Sequence, residues 1–128
     1  MVVEKNVMVC VTQQKTCERL IRSGAEIRDT EGGRLLVVHV TPTPLTILGN
    51  TSQPDALDYL YEISKSMNAE MTVILSAETV KTLVEFCRKN DVTTVVMGES
   101  LNASSENSII DELKQRIGRK TDIKVVPV

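Results

Sequence analysis

Tryptophan is absent, and the other aromatics number one phenylalanine and two tyrosines. So few rings leave little for stacking the bases of a single-stranded nucleic acid. A charge surplus is missing too: 15 basic residues stand against 17 acidic ones, a net charge of -2. The balance gives no sign of the basic face or stripe that marks a nucleic-acid binder. No apolar run approaches the ~18 residues of a membrane span. The opening Met1-Val2-Val3-Glu4-Lys5-Asn6 does not read as a signal peptide. Cysteine is sparse: Cys10, Cys17 and Cys87 form no C-x-x-C and no metal-ligand spacing. The odd count points to free thiols in a reducing compartment. The expected location is therefore cytoplasmic, as a stand-alone protein or as the cytoplasmic piece of a larger one.

What is present is an alternation of buried runs and amphipathic stretches. Val7 to Val11 is apolar throughout, as in a strand covered on both faces. Cys17, Leu20, Ile21, Gly24 and Ala25 then recur at helical spacing, and Asp29-Thr30-Glu31-Gly32-Gly33 reads as the helix stop. Leu35 to Val40 is a second β-branched run. The connection Thr41 to Thr51 holds Pro42, Pro44, Gly49 and Asn50, together with Leu45, Ile47 and Leu48. That is long for an α/β unit, and long connections of this kind are often functional.

Ser52-Gln53-Pro54-Asp55 opens a second helix with a capping signature. Its inner face is Leu57, Leu60, Ile63, Ser64 and Met67. Met71 to Leu75 is a third strand, and Ser76 is placed to cap a third helix with the stripe Val80, Leu83, Val84 and Cys87. Asn90-Asp91 ends it. Val92 to Met97 is a fourth strand, closed by Gly98. Ser108 and Asp111 repeat the capping signature for a fourth helix, with Ile109, Ile110, Leu113 and Ile117 inward. Ile123 to Val128 is a fifth strand, with Pro127 limiting pairing at its end.

Residues 1–128 thus read as one α/β domain. A chain of this size buries roughly two-thirds of its unfolded surface, enough to fold without disulfides or metal. Strands alternating with helices, joined by right-handed crossovers, predict a five-stranded parallel sheet between two layers of helix. The long link after the second strand places the switch point between strands one and four, and the predicted order is 3-2-1-4-5. Ligands of such sheets sit at the carboxyl ends of the strands, at that point.

Catalytic signatures are mostly missing. There is no G-x-S-x-G, no Walker A, and no G-x-G-x-x-G after strand one. A phosphoryl-accepting receiver would want Asp where Thr12 stands. A thiol phosphatase would pair Cys10 with an arginine at position 16, which is Thr16. Cys10 also lies inside an apolar strand, whereas a reactive thiolate needs an electropositive, partly exposed setting. His39 is the sole histidine. It cannot make a metal site alone, and as acid or base it would need a partner such as Glu99.

Binding chemistry is better provided for. The N-terminus of the fourth helix, at Asn107, Ser108 and Ile109, offers unpaired backbone N–H groups and a hydroxyl to an anion. Gly98 permits close backbone approach. Glu99 and Glu106 in the same loop oppose a highly charged phosphate, and Lys15 on the other lip offsets one of them.

The block Arg34-Leu35-Leu36-Val37-Val38-His39-Val40, followed by Thr94-Val95-Val96-Met97-Gly98, resembles the universal stress protein family over nearly the whole chain. The helix Cys17-Glu18-Arg19-Leu20-Ile21-Arg22-Ser23-Gly24-Ala25 resembles one branch, the stress-protein-like cytoplasmic domain of Kdp-type potassium sensor histidine kinases. The resemblance implies a Rossmann-like three-layer α/β/α sandwich, often a homodimer through the last strand, with ATP, ADP or AMP as the ligand in many members. It also implies a kinase as partner if the branch holds.

The family's nucleotide pattern is Gly-x-x-Gly, nine residues, then Gly-Ser or Gly-Thr, with an Asp after strand one. Gly98 matches the first glycine and Ser108 the serine. Leu101 and Asn107 replace the other glycines, Thr12 replaces the Asp, and five residues stand where nine belong. A loop so shortened is poorly built to wrap a triphosphate. The branch's cyclic di-AMP motif, Ser-x-Ser after strand one and Phe-Thr-Ala-x-Tyr in strand two, is absent.

On this reading the chain is a non-enzymatic sensory or regulatory module. Thr12, Gln13, Val40, Met97, Gly98, Ser100, Asn107, Ser108 and Ile109 line a degenerate adenine-nucleotide pocket. Val40 and Met97 flank the base, and the backbone near Ser108 meets a phosphate. The alternative is an interaction or dimerisation domain with no small ligand, using Leu45, Ile47, Leu48 and the last strand. An enzyme would have to be built on His39 and Glu99.

Overall fold

β-Branched runs that are apolar at nearly every position become strands because both of their faces meet helices. The computed structural model describes residues 6–11, 14–41, 53–98, 111–118 and 121–126. Strand β1 is Asn6–Cys10, followed by helix α1, Gln14–Glu31. Next come β2, Leu35–Thr41, and α2, Gln53–Ser66. β3 is Glu70–Leu75, α3 is Thr79–Lys89 and β4 is Val92–Gly98. Residues 111–116 are helical, named α4, and β5 is Asp122–Val126.

The five strands form one sheet in the order β3-β2-β1-β4-β5, as expected. All four pairings are parallel. α1 and α2 cover one face, packing Leu20, Ile21, Ala25 and Leu60 on Val7, Val9, Leu35, Val37 and Val96. α3 and α4 cover the other, packing Val80, Leu83, Val84, Cys87 and Leu113 on Met8, Leu36, Val38, Val95 and Met97. This is the Rossmann-like three-layer α/β arrangement that the family resemblance implied.

Local chemistry fixes how the layers meet. Gly24 sits where α1 presses closest to the sheet. A Cβ there would lie 2.4 Å from Val9 Cγ2 and 2.9 Å from Leu35 Cδ1. Asn6, 3% exposed, ties three elements at the amino end of the sheet. Its Nδ2 donates to the Asn90 carbonyl at 2.7 Å, and its Oδ1 accepts the Arg34 backbone N–H at 2.9 Å. The register between β1 and β4 shifts at Asn6/Val7, so Val92 and Val95 both reach the α3 side. Arg28 donates to the carbonyls of Met67 and Asn68, joining the end of α1 to the end of α2.

Two local expectations are corrected. Asp29, Thr30 and Glu31 belong to α1, and the stop is Gly32, at φ +81, whose N–H bonds the Arg28 carbonyl. Ser76 is not the cap of α3; the cap position is Glu78, which makes no side-chain cap bond. Ser76 Oγ instead accepts the Glu78 N–H at 3.1 Å and the Thr82 hydroxyl at 2.9 Å. It therefore shapes the turn into the helix from two residues upstream. The expected starts of α2 at Ser52 and of α4 at Ser108, and the inward positions Leu57, Ile109 and Ile110, lie outside the described residues or side chains.

Candidate functional site

β1 leads into a helix on one side of the sheet and β4 into a helix on the other. The two strands are neighbours and run in the same direction. The carboxyl ends of two such neighbouring parallel strands are the position where α/β sheets hold ligands.

Three of the expected site residues fall on described strand ends. Val40 on β2 and Met97 on β4 both pack with the cluster on the α3 face, on either side of β1. Met97 is buried and Val40 half-buried. Gly98 faces the opposite way. A Cβ on it would meet Leu20 of α1 at 3.4 Å, an ordinary contact. Gly98 thus borders α1 on its side-chain side, which leaves any close approach of a ligand to its backbone. Thr12, Gln13, Ser100, Asn107, Ser108 and Ile109 lie outside the described residues, as do Glu99 and Glu106.

His39 is engaged. It is 4% exposed, and its Nδ1 donates to the Val11 carbonyl at 2.7 Å. Val11 in turn donates its N–H to the Val38 carbonyl at 3.0 Å. The imidazole therefore holds the carbonyl of the residue that follows β1.

The buried thiols of Cys10 and Cys87 are not placed as nucleophiles. Burial pushes the Cys10 thiol far above its ordinary value, and the nearby Cys87 adds to that. Burial pushes Cys87 up to about 12. At neutral pH both carry their protons, and a protonated buried thiol is inert toward electrophiles. No group of three His, Cys, Asp or Glu is placed to hold a metal ion among the described residues.

A second concavity escaped sequence reasoning, because its walls come from helices far apart in the chain. It lies between the start of α3 and α4, about 460 Å³, lined by Ala77, Glu78, Thr79, Val80, Lys81, Glu112 and Arg116. Lys81 pairs with Glu78 at 3.5 Å and Arg116 with Glu112 at 3.2 Å. Each cation is matched within its own helix region, so the cleft presents no net charge to a ligand.

The sequence pattern of the universal stress protein family matches residues 4–126. The chain belongs to the universal stress protein family. Its fold is similar to that of a universal stress protein from Archaeoglobus fulgidus, at TM-score 0.69 and 18% identity, covering 96% of this chain and 98% of that one. An Archaeoglobus fulgidus universal stress protein in complex with dAMP is similar at TM-score 0.65 and 19% identity, covering 98% of each chain. A universal stress protein in complex with cAMP is similar at TM-score 0.66 and 17% identity, covering 95% of this chain and 96% of that one. No curated protein sequence matches. At such identities the universal stress protein likeness carries the fold; the ligands named belong to those proteins.

Proposed function

We propose that this chain is a non-enzymatic regulatory module that binds an adenine mononucleotide at the carboxyl ends of β1 and β4. The observation that carries the reading is the placement of Val40 and Met97. They share one face of the sheet and flank the end of β1, which gives a base two apolar walls at the switch point. The dAMP and cAMP complexes of proteins with the same fold support that choice of ligand. The shortened sequence between Gly98 and Ser108 favours one phosphate over three. His39 is buried and bonded to the Val11 carbonyl, which gives the imidazole a structural role at the end of β1.

Calorimetric titration with AMP, cAMP, ADP and ATP tests this. The monophosphates should bind with one site per chain, and ATP at least tenfold more weakly. Val40→Asp, at the half-buried one of the two positions, should abolish the heat by placing a charge against the base. No heat with any of the four, or undiminished heat in the variant, overturns the reading.

We also propose a homodimer through β5, and a kinase partner if the likeness of Cys17 to Ala25 to the sensor-kinase branch reflects descent. β5 is the outermost strand of the sheet on its side, and an unpaired edge of this kind invites pairing with a second copy. A single monomeric species by light scattering at high concentration defeats the dimer.

A further inference from the structure

The edge of the sheet away from β5 lacks the features that keep strand edges apart. Among the described residues β3 is the outermost strand on its side. It pairs with β2 in an unbroken register from Glu70 to Leu75. Open edges are commonly blunted by lysine, proline, a bulge or a covering element. After Glu70, β3 reads Met71-Thr72-Val73-Ile74-Leu75, with no charge and no proline. The opposite edge, β5, carries exposed Asp122 and Lys124. α2 packs on one face of β3, while α3 packs over β2 and β4. Leu75 is 59% exposed and Tyr61 of α2 is 52% exposed.

The residues of this edge are complementary to themselves. Met71 packs with the α1 and α2 face and Ile74 with the α3 face. Strand alternation puts Val73 and Leu75 with Met71, and Thr72 with Ile74. A two-fold axis normal to the sheet at Val73 sets β3 antiparallel to its copy. Val73 then meets itself, Met71 meets the partner's Leu75, and Thr72 meets the partner's Ile74. Five uncharged residues pair, and Glu70, held by Arg34, falls outside. An axis at Thr72 would instead set Glu70 against the partner's Ile74.

Helix α2 fits the same axis. Tyr59 reaches Glu18 of α1 and Leu60 enters the core. At about 100° per residue, Tyr61 lies on the other side of α2, away from α1 and toward the β3 edge. α2 runs back along β3 at about 1.5 Å per residue, against about 3.3 Å in the strand. The step from Glu70 to Val73 therefore matches about seven residues back from Ser66, which sets Tyr61 near the level of the axis. α2 crosses from β2 to β3, so the two copies of it stand about two strand spacings apart, ~10 Å, a distance at which helices pack. They run antiparallel. Asp58 and Lys65, on either side of Tyr61, come opposite the partner's Lys65 and the partner's Asp58. Both are exposed, and neither forms an ion pair among the described residues. We propose that the β3 edge is an interface with a second copy of this chain, paired antiparallel about Val73 and flanked by Tyr61, Leu75 and two Asp58–Lys65 ion pairs. The interface is independent of the nucleotide site and of pairing through β5. Pairing at both edges carries the assembly beyond two copies.

The test uses the full chain with Cys17→Ser, in which Cys10 and Cys87 are buried. Residues paired across antiparallel strands have Cα atoms about 4.5–5.5 Å apart, within the range a disulfide spans. Val73→Cys under mild oxidation should therefore give a disulfide between the two copies of position 73, located by peptide mass analysis. Adding Leu75→Lys should slow that cross-link at least tenfold. In the chain without Val73→Cys, sedimentation should show self-association weakened at least tenfold by Asp58→Lys and restored by Asp58→Lys with Lys65→Asp. A monomer at all concentrations overturns the proposal, as does association unmoved by both Asp58→Lys and Leu75→Lys, which belongs to another edge. Failure of the folded Val73→Cys protein to cross-link at position 73 also overturns it. If Val73→Cys does not fold, the sedimentation of the exposed variants decides.

Discussion

Gly24 and Gly98 have opposite reasons to be glycine. At Gly24 the sheet leaves no room: an added methyl would enter Val9 and Leu35. Overpacking costs about 1–3 kcal/mol, and alanine returns only about 0.5–1 kcal/mol through helix propensity. Gly24→Ala should therefore lower unfolding free energy by about 1–2 kcal/mol in urea. Gly98→Ala meets only the flexible end of Leu20 at 3.4 Å. It should change stability by less than about 0.5 kcal/mol, as surface-type substitutions do, while weakening AMP binding if the ligand approaches this backbone. A loss of binding with unchanged stability separates the pocket from the fold. Asn6 supplies a third residue-level expectation. Asn6→Ala removes two part-buried hydrogen bonds, to the Arg34 N–H and the Asn90 carbonyl, each worth about 0.5–1.5 kcal/mol. Urea unfolding should show a loss of about 1–3 kcal/mol, above that of an exposed substitution.

At the scale of elements, the chain ends of α1 and α2 are held by one guanidinium. Arg28, its side chain 15% exposed, places its charge on carbonyls at the end of α2, where the helix dipole favours a cation. Arg28→Ala should cost about 1–2 kcal/mol, in the range of a hydrogen bond to a charged group. Arg22→Ala breaks only an exposed pair with Glu18 and should cost no more than about 0.5 kcal/mol. Equal losses by urea titration would show that Arg28 is not a clamp. Between β2 and β3, Arg34 donates twice to Glu70, at 2.7 and 2.9 Å. That hydrogen bonding holds the Glu70 carboxyl below its ordinary value. A lowered carboxyl pKa stabilises the fold above the unfolded value, and the gain is lost as pH falls through the folded one. For an exposed pair the gain is at most about 1 kcal/mol. The urea midpoints of the wild type and Arg34→Gln should differ at pH 7 and converge at pH 3.

For the whole molecule, the Asn6 junction lies at the amino end of the sheet and the proposed ligand site at the carboxyl end. Nucleotide binding there should stabilise the native state by linkage, about 2.7 kcal/mol at a hundredfold excess over Kd. The melting temperature should therefore rise with AMP concentration, and the rise should vanish in Val40→Asp. Among the described residues no helix is long and apolar enough to cross a membrane.

The sequence by itself determined the elements and their order. Runs such as Val7 to Val11 are apolar at every position because a central parallel strand is covered on both faces. Stripes such as Val80, Leu83, Val84 and Cys87 mark a helix with one buried side, and the structure buries those four residues. The long connection after β2 and the handedness of crossovers were enough to place β1 beside β4. Tertiary structure alone decided which way each residue faces and what it touches. A run that is apolar throughout has no period to reveal its faces, so only the register between strands puts Val40 and Met97 on one side and Gly98 on the other. The bond from His39 to Val11, the guanidinium of Arg28 over α2, and the meeting of Cys87 with Met8 join residues 28, 39 and 79 positions apart. Such contacts depend on how helices settle on a twisted sheet, and no local pattern records that.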